Sequence, residues 1–511
     1  VRAFAYVGFA ALFVRALFGQ NADMHASPPN SILEMRTRFV RGRYELKNAT
    51  LVDLIRTAWS VDADKVVGGP DWLDTDRFDV IVTAPVGSTP EMLKTMLLQV
   101  LVDRFHLVAH NDTRAFPAYA ITAGRKPQIK PADESEAAEC RIEPGEPVAY
   151  TCRNMTIAAL ASRLPNVREA SGYLFNYPVV DRTGLKGAWD FTVKWSPRIA
   201  VRAHPAPAET ITIFDAFDKQ LGLKLEFTKI PTPVVVVESA KPPQVTESPA
   251  ALPEFEVAEI KPQAPGIECP ASVAIQPGGR VNVNMTLKWL IVEAWGASIP
   301  PNRITGGPKS IDDACFVVVA KAPVEENAVA GWNGPVWNGV DIDSMRMMLR
   351  ALLADRFKLA AHTEERPVPG YELVAANPKL PKLRKADPSY RPGCREGPGA
   401  DGKDPRIANP AASRLITCRN MTLAQFAAEL NKLFVEFPRV MDSTGIAGRY
   451  DITFNFSPGG LVESSAADSE PNGAISLSEA LKGQLGLRLQ SRKVMAPVLV
   501  IDHVNEMPTE N

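Results

Sequence analysis

Apolar residues recur at three- and four-residue steps in several stretches of this chain. Leu51, Leu54, Ile55 and Ala58 form one such row, and Leu287, Leu290, Ile291 and Ala294 form another. That spacing gives an α-helix one apolar face. Met345, Met348, Leu349 and Leu352 predict a helix that runs into Asp355-Arg356-Phe357. Another is expected after each copy of TCRNMT, and one over Leu477–Leu485, where Gly486 stops it. Between these stretches lie short runs rich in Val, Ile, Phe and Tyr: Phe316–Ala320, Lys358–His362, Tyr371–Ala375, Tyr450–Phe456 and Val498–Val504. They predict strands. The interleaving implies an α+β fold, with small mixed or antiparallel sheets covered by about four helices per repeat.

The repeat is explicit. TCRNMT stands at Thr151–Thr156 and again at Thr417–Thr422, and LVDRFHLVAH answers LADRFKLAAH. VVDRTGLKGAWDFT (Val179–Thr192) answers VMDSTGIAGRYDIT (Val440–Thr453), and Gly68-Gly69-Pro70 answers Gly306-Gly307-Pro308. The expected organisation is a hydrophobic segment at 1–20, copy one at 21–239, a Pro-rich linker at 240–253 and copy two at 254–507. A finer echo lies within each copy. MRMMLRALLADRFKLAAHTEERPVPGYELVA and LSEALKGQLGLRLQSRKVMAPVLVIDHV both read helix, turn, strand, turn, strand. This predicts two β-α-β-β-like modules per copy.

Four Asn-x-Thr triplets, at Asn48, Asn154, Asn284 and Asn420, each precede an apolar helical run. Sugar acceptors share this pattern, but its position fits Thr as a helix N-cap better.

Charge removes one class of partner. With 57 basic and 58 acidic residues the net charge is -1, so no general attraction to nucleic acid is expected. The run Ala3–Val14 behind Arg2 is too short to span a bilayer and suits an export signal over residues 1–20. The expected location is periplasmic or extracellular, with no stable membrane span once the signal is removed. Export makes the six cysteines candidates for disulfides. Matching positions in the two copies favour Cys140–Cys152 and Cys394–Cys418, leaving Cys269 with Cys315. No C-x-x-C or zinc spacing competes with this pairing.

Several motifs occur in fixed order: FEVAEIKP (Phe255–Pro262), GGRVNVNMTL (Gly278–Leu287), ITGGP, LLADRFKL, HTEERPVPGY (His362–Tyr371), VMDSTGIAGRYD (Val440–Asp451) and the closing VLVIDHVNEMPTEN. The chain thereby resembles the soil-associated secreted protein family of soil bacteria, a domain of unknown function, here in tandem. The resemblance implies export and no defined activity. Copy one departs from it at Phe18–Pro28, where FGQNADMHASP replaces FEVAEIKP, so its first strand is expected to be degenerate or removed by processing.

Candidate sites are few. His110, Asp112 and Arg114 match His362, Glu364 and Arg366, and alternate positions on a strand share a face. This face is either a ladder of paired surface charges or an acid/base site. His106 and His110 sit four apart, but Lys358 replaces His106 in copy two and the H-E-x-x-H glutamate is missing. Asp103-Arg104 and Asp355-Arg356 are expected to serve helix ends, the Asp bonding turn amides. Asp181-x-Thr183-Gly184 and Asp442-x-Thr444-Gly445 fit a turn better than a phosphate cradle, which would need a Lys and a following helix. GWNGPVWNG (Gly331–Gly339) is peculiar to copy two, and its Trp332 and Trp337 are either a stacking platform or a cover for the domain's own surface.

No G-x-S-x-G, G-x-G-x-x-G or EF-hand motif occurs, and neither cofactor nor metal is implied. The expected function is an exported, non-catalytic binding or scaffold module whose ligand is an envelope or extracellular protein, peptide or glycan. The alternative is a hydrolase of an envelope or extracellular polymer that uses the His/acid/Arg face.

Overall fold

The computed structural model describes residues 22–27, 35–40, 42–85, 87–133, 135, 137–198, 211–244, 253–264, 268–296, 299–324, 336–376, 382–409, 411–433, 439–457 and 473–509. The segment 1–20 expected as an export signal lies outside them, as does most of the linker. The fold is α+β. Each copy divides into two halves, and all four halves are built on one plan.

That plan is a four-stranded antiparallel sheet in which the last strand inserts beside the first. In the first half of copy one the order is Ala22–Ala26, Arg77–Thr83, Arg43–Thr50, Arg36–Val40. In copy two it is Val257–Pro262, Cys315–Lys321, Arg280–Thr286, Ser272–Gln276. The second halves repeat it with Lys130–Pro131, Trp189–Trp195, Val148–Met155, Glu139–Glu143, and with Arg384–Lys385, Tyr450–Phe456, Arg414–Met421, Gly393–Glu396. The first strand of copy one is therefore present: Ala22–Ala26 pairs along Arg77–Thr83 despite its divergent sequence. Backbone pairing asks only for extended residues, so ADMHA serves as well as VAEIKP.

In each half a helix follows the third strand directly. Thr50, Thr156, Thr286 and Thr422 cap these helices, accepting the backbone N–H of Asp53, Ala159, Trp289 and Gln425 at 3.1, 3.1, 3.4 and 3.2 Å. Each hydroxyl satisfies a donor that the first helical turn leaves open. Behind the cap, Leu51, Leu54 and Ile55, and likewise Leu287, Leu290 and Ile291, are buried against the sheet.

Ahead of the cap, three of the four strands carry a bulge. Asn48, Asn154 and Asn420 adopt left-handed φ values of 54°, 46° and 50°. Their backbone N–H groups donate to Asp79, Asp190 and Asp451 across the sheet at 2.8, 2.8 and 2.9 Å. Asn tolerates this conformation, and the carboxylate takes a donor that the interrupted ladder cannot. The fourth half lacks the carboxylate. Val317 stands opposite Asn284, and the register there runs unbroken from Arg280 to Thr286.

The last helix of each half leads into a long strand, and here one expectation changes. Lys358–His362 and Tyr371–Ala375 were expected as separate strands with a turn between. Instead Ala360–Ala375 is one continuous strand, as is Leu487–His503. Prolines within these runs remove ladder donors, but their fixed φ and their effect on the preceding residue favour an extended chain. Lys358 lies outside the strand, with a left-handed φ of 51°.

Two compact units cut across the sequence copies. One holds the described residues up to His110, Val235–Val368 and those from Lys493 on; the other holds Asn111–Val234 and Pro369–Arg492. The first thus gathers the first halves of both copies, and the second gathers both second halves. Each half nevertheless keeps its own apolar core, centred on Leu54 and Phe105, on Trp195 and Phe217, on Leu290 and Phe357, or on Phe426 and Phe454.

Candidate functional site

The matched histidines sit on the long strands and are half exposed. His110 Nδ1 lies 3.0 Å from Glu238 Oε1, and Arg114 pairs with Asp112 at 3.4 Å. In copy two His362 Nδ1 is 2.8 Å from Asp502 Oδ2, and Nε2 is 3.8 Å from Glu364 Oε2. Arg366 pairs with Glu364 and donates from Nη1 to Thr305 Oγ1 at 3.2 Å. The Asp502 hydrogen bond, helped by the charges of Asp502 and Glu364, raises the His362 pKa above its ordinary value. His362 and Asp502 form an oriented acid/base pair. Among the described residues, however, His362 meets no hydroxyl or thiol that it could activate.

Glu238 and Asp502 escaped the sequence reading, because cross-strand neighbours carry no local signature. The signal available was the alignment of VVVVES with VLVIDH, which places the two carboxylates at equivalent positions.

His106 takes a different role. It closes the helix Pro90–Phe105 in a left-handed conformation, φ 49°, and Lys358 holds the same conformation in copy two at 51°, one residue past Phe357, which caps Ile342–Arg356. This explains why the two residues exchange. Among the described residues no group of three or more His, Cys, Asp or Glu is arranged to hold a metal ion. Asp103 accepts from Gln99 Nε2 at 2.8 Å, and Asp355 pairs with Arg356 and Lys358. These contacts replace the turn-amide bonds expected of the two aspartates. Asp181 and Asp442 do bind their turns, accepting the N–H of Thr183 and Thr444 at 2.8 and 2.9 Å.

Trp332 lies outside the described residues. Trp337 belongs to the short strand Val336–Trp337, which pairs with Val340–Asp341 across a turn where Asn338 and Gly339 both have positive φ. All three disulfides are formed as the duplication suggests: Cys140–Cys152, Cys269–Cys315 and Cys394–Cys418. The first and third join residues directly opposite on neighbouring strands.

A further cluster was not foreseen. Within the unit formed by the two second halves, Asp404 of copy two meets Arg198 of copy one at 2.6 Å and its own neighbour Arg406 at 2.8 Å. All three side chains are largely buried. Burial pushes the Asp404 carboxyl up, but hydrogen bonds and charge from Arg406, with the charge of Arg198, outweigh it and hold the pKa below the usual value. Burial conversely lowers the Arg198 pKa. Arg406 also donates to Gly172 O at 2.9 Å and lies over the Phe175 ring. The partners are 206 residues apart. Their one sequence trace is the longer disulfide loop of copy two, 24 residues against 12.

The sheets and sites define a tandem, disulfide-linked α+β repeat protein. The family described as Protein of unknown function (DUF3738) matches residues 52–240 and 288–504, and the chain belongs to it. No curated protein and no solved structure matches the chain.

Proposed function

We propose that the chain is an exported, non-catalytic binding or scaffold module of the cell envelope or extracellular space. The observation that carries this reading is the use of all six cysteines in three disulfides, which persist in oxidising compartments. No helix among the described residues is long and apolar enough to cross a membrane. The matched histidines are exposed and already engaged with carboxylates, which fits a charge ladder. The ligand class is an envelope or extracellular protein, peptide or glycan.

The test is a binding screen of the oxidised full chain against envelope glycans and peptides, with a Trp332→Ala/Trp337→Ala variant alongside. Saturable capture supports the reading, and unchanged capture by the variant removes the tryptophan platform from it. A second reading, a polymer hydrolase, draws on the His362–Asp502 pair. Turnover of an envelope polymer that disappears in His362→Ala would replace the binding reading.

A further inference from the structure

The contact between copies in the second unit combines Tyr390, which packs on Phe116 and donates to Ala115 O at 3.2 Å, Arg395, which lies over the Tyr177 ring, and one inserted segment. Cys140 and Cys152 face each other across a short hairpin, and Cys394 and Cys418 occupy the same register with a connection twice as long. The additional residues reach copy one. Besides the Asp404–Arg198 pair and the Arg406–Gly172 bond, Tyr177 Oη donates to Pro398 O at 3.2 Å. Two glycines shape the approach. Gly402 has φ 70°, and a Cβ there would stand 2.3 Å from the Phe227 ring; at Gly397 a Cβ would stand 2.9 Å from the Tyr177 ring. The segment therefore lies with its backbone against aromatic faces, which only glycine permits.

This contact is polar and aromatic, and the two apolar cores do not merge across it. The core of copy one's second half contains no copy-two residue, and the reverse also holds. A joint of this composition resembles a separable interface more than a continuous core.

We propose that copy one carries a peptide-binding surface, built on Arg198 and the rings of Phe175, Tyr177 and Phe227, that reads an aspartate in a glycine- and proline-rich turn-forming segment. Copy two's Gly397–Arg406, GPGADGKDPR, occupies this surface in cis as a latch. The partner is a segment of the same chemistry on another protein. Arg198 supplies a charged fork for the carboxylate, the rings supply a floor, and the main chain of the ligand accepts from Tyr177. A tethered loop acts at an effective concentration of about millimolar, so a free segment gains access only when the latch is weakened. This inference rests on the binding reading and assigns it a surface.

The experiment uses the oxidised full chain and a fluorescent GPGADGKDPR peptide. Anisotropy should show weak binding to the unaltered chain, binding at least tenfold tighter to Asp404→Ala, and loss of that gain in Asp404→Ala/Arg198→Ala. Hydrogen exchange of Asp404→Ala should accelerate over residues 397–409 while Val193, Phe217 and Phe454 stay protected. Failure of the opened chain to bind the peptide, or binding indifferent to Arg198, would overturn the proposal. So would protection lost throughout the second unit, since the segment would then be a building block of the fold. The two failures separate: an intact chain that captures a ligand in the screen, beside an opened chain that ignores the peptide, refutes the latch alone.

Discussion

The six residues of TCRNMT occur twice with identical sequence and meet different surroundings. In both places Cys152 or Cys418 bonds the residue opposite, Asn154 or Asn420 forms the bulge locked by an aspartate, and Thr156 or Thr422 caps the helix. The arginine diverges. Arg153 is exposed, whereas Arg419 is 7% exposed and stacks on the Tyr390 ring at 4.3 Å. The leading threonine diverges in part: Thr151 faces Thr192 and Thr417 likewise faces Thr453, but Thr417 also donates to Gly397 O at 2.7 Å, in the inserted loop. Roles satisfied within a strand and its neighbour are common to both sites. Roles that need a third segment differ, because Tyr390 and the longer loop belong to copy two alone.

The largest test of this comparison is removal of the two matched disulfides. Cys140→Ala/Cys152→Ala and Cys394→Ala/Cys418→Ala should each cost about 2–4 kcal/mol in chemical denaturation. The longer loop should cost roughly 0.6 kcal/mol more, as one doubling of length requires. Equal or reversed losses would show that the inserted loop is held by its contacts and not by its staple.

The bulge locks come next. Asp190→Ala and Asp451→Ala each strip a backbone N–H of its carboxylate, at about 1–3 kcal/mol, and the two values should agree. A wide disagreement, read from urea midpoints, would mean that the bulges are not equivalent. Arg419→Ala should then cost about 1–2 kcal/mol through lost stacking and packing, against less than about 0.5 for Arg153→Ala. Matching losses would break the contrast on which the comparison stands. Thr156→Ala and Thr422→Ala should cost about 1 kcal/mol each.

The smallest effect is a pH dependence. The Asp404 pKa is depressed in the folded chain, so its stabilisation is complete above the ordinary carboxylate value near 3.8. It is lost as pH falls below that value through the depressed one. Hydrogen exchange over residues 397–409 should therefore hold steady from neutral pH to about 4 and show loosening only below that. Loosening that begins near neutral pH would assign the joint to another group.

Much of the fold was legible in the sequence. Helices with buried rows such as Leu287, Leu290 and Ile291, the four Thr caps and the strand Tyr450–Phe456 follow from periodicity and cap chemistry, which act over a few residues. The duplication made the cysteine pairs legible as well. The continuous strand Ala360–Ala375 was not, because Pro367, Pro369 and Gly370 signal a turn as readily as an extended chain. Of the candidate site, the shared face of His362, Glu364 and Arg366 was readable. Its partner Asp502 was not, since it arrives from a strand 140 residues away.

By itself the sequence determined the repeat, the secondary structure around each TCRNMT and the staple that precedes each cap, because these depend on neighbours along the chain or directly across one hairpin. Tertiary structure alone decided that both second halves form one compact unit, that Arg419 is buried while Arg153 is not, and that Asp404 is shared between Arg198 and Arg406. Those outcomes depend on segments brought together from both copies, and no local pattern records a contact whose partners lie two hundred residues apart.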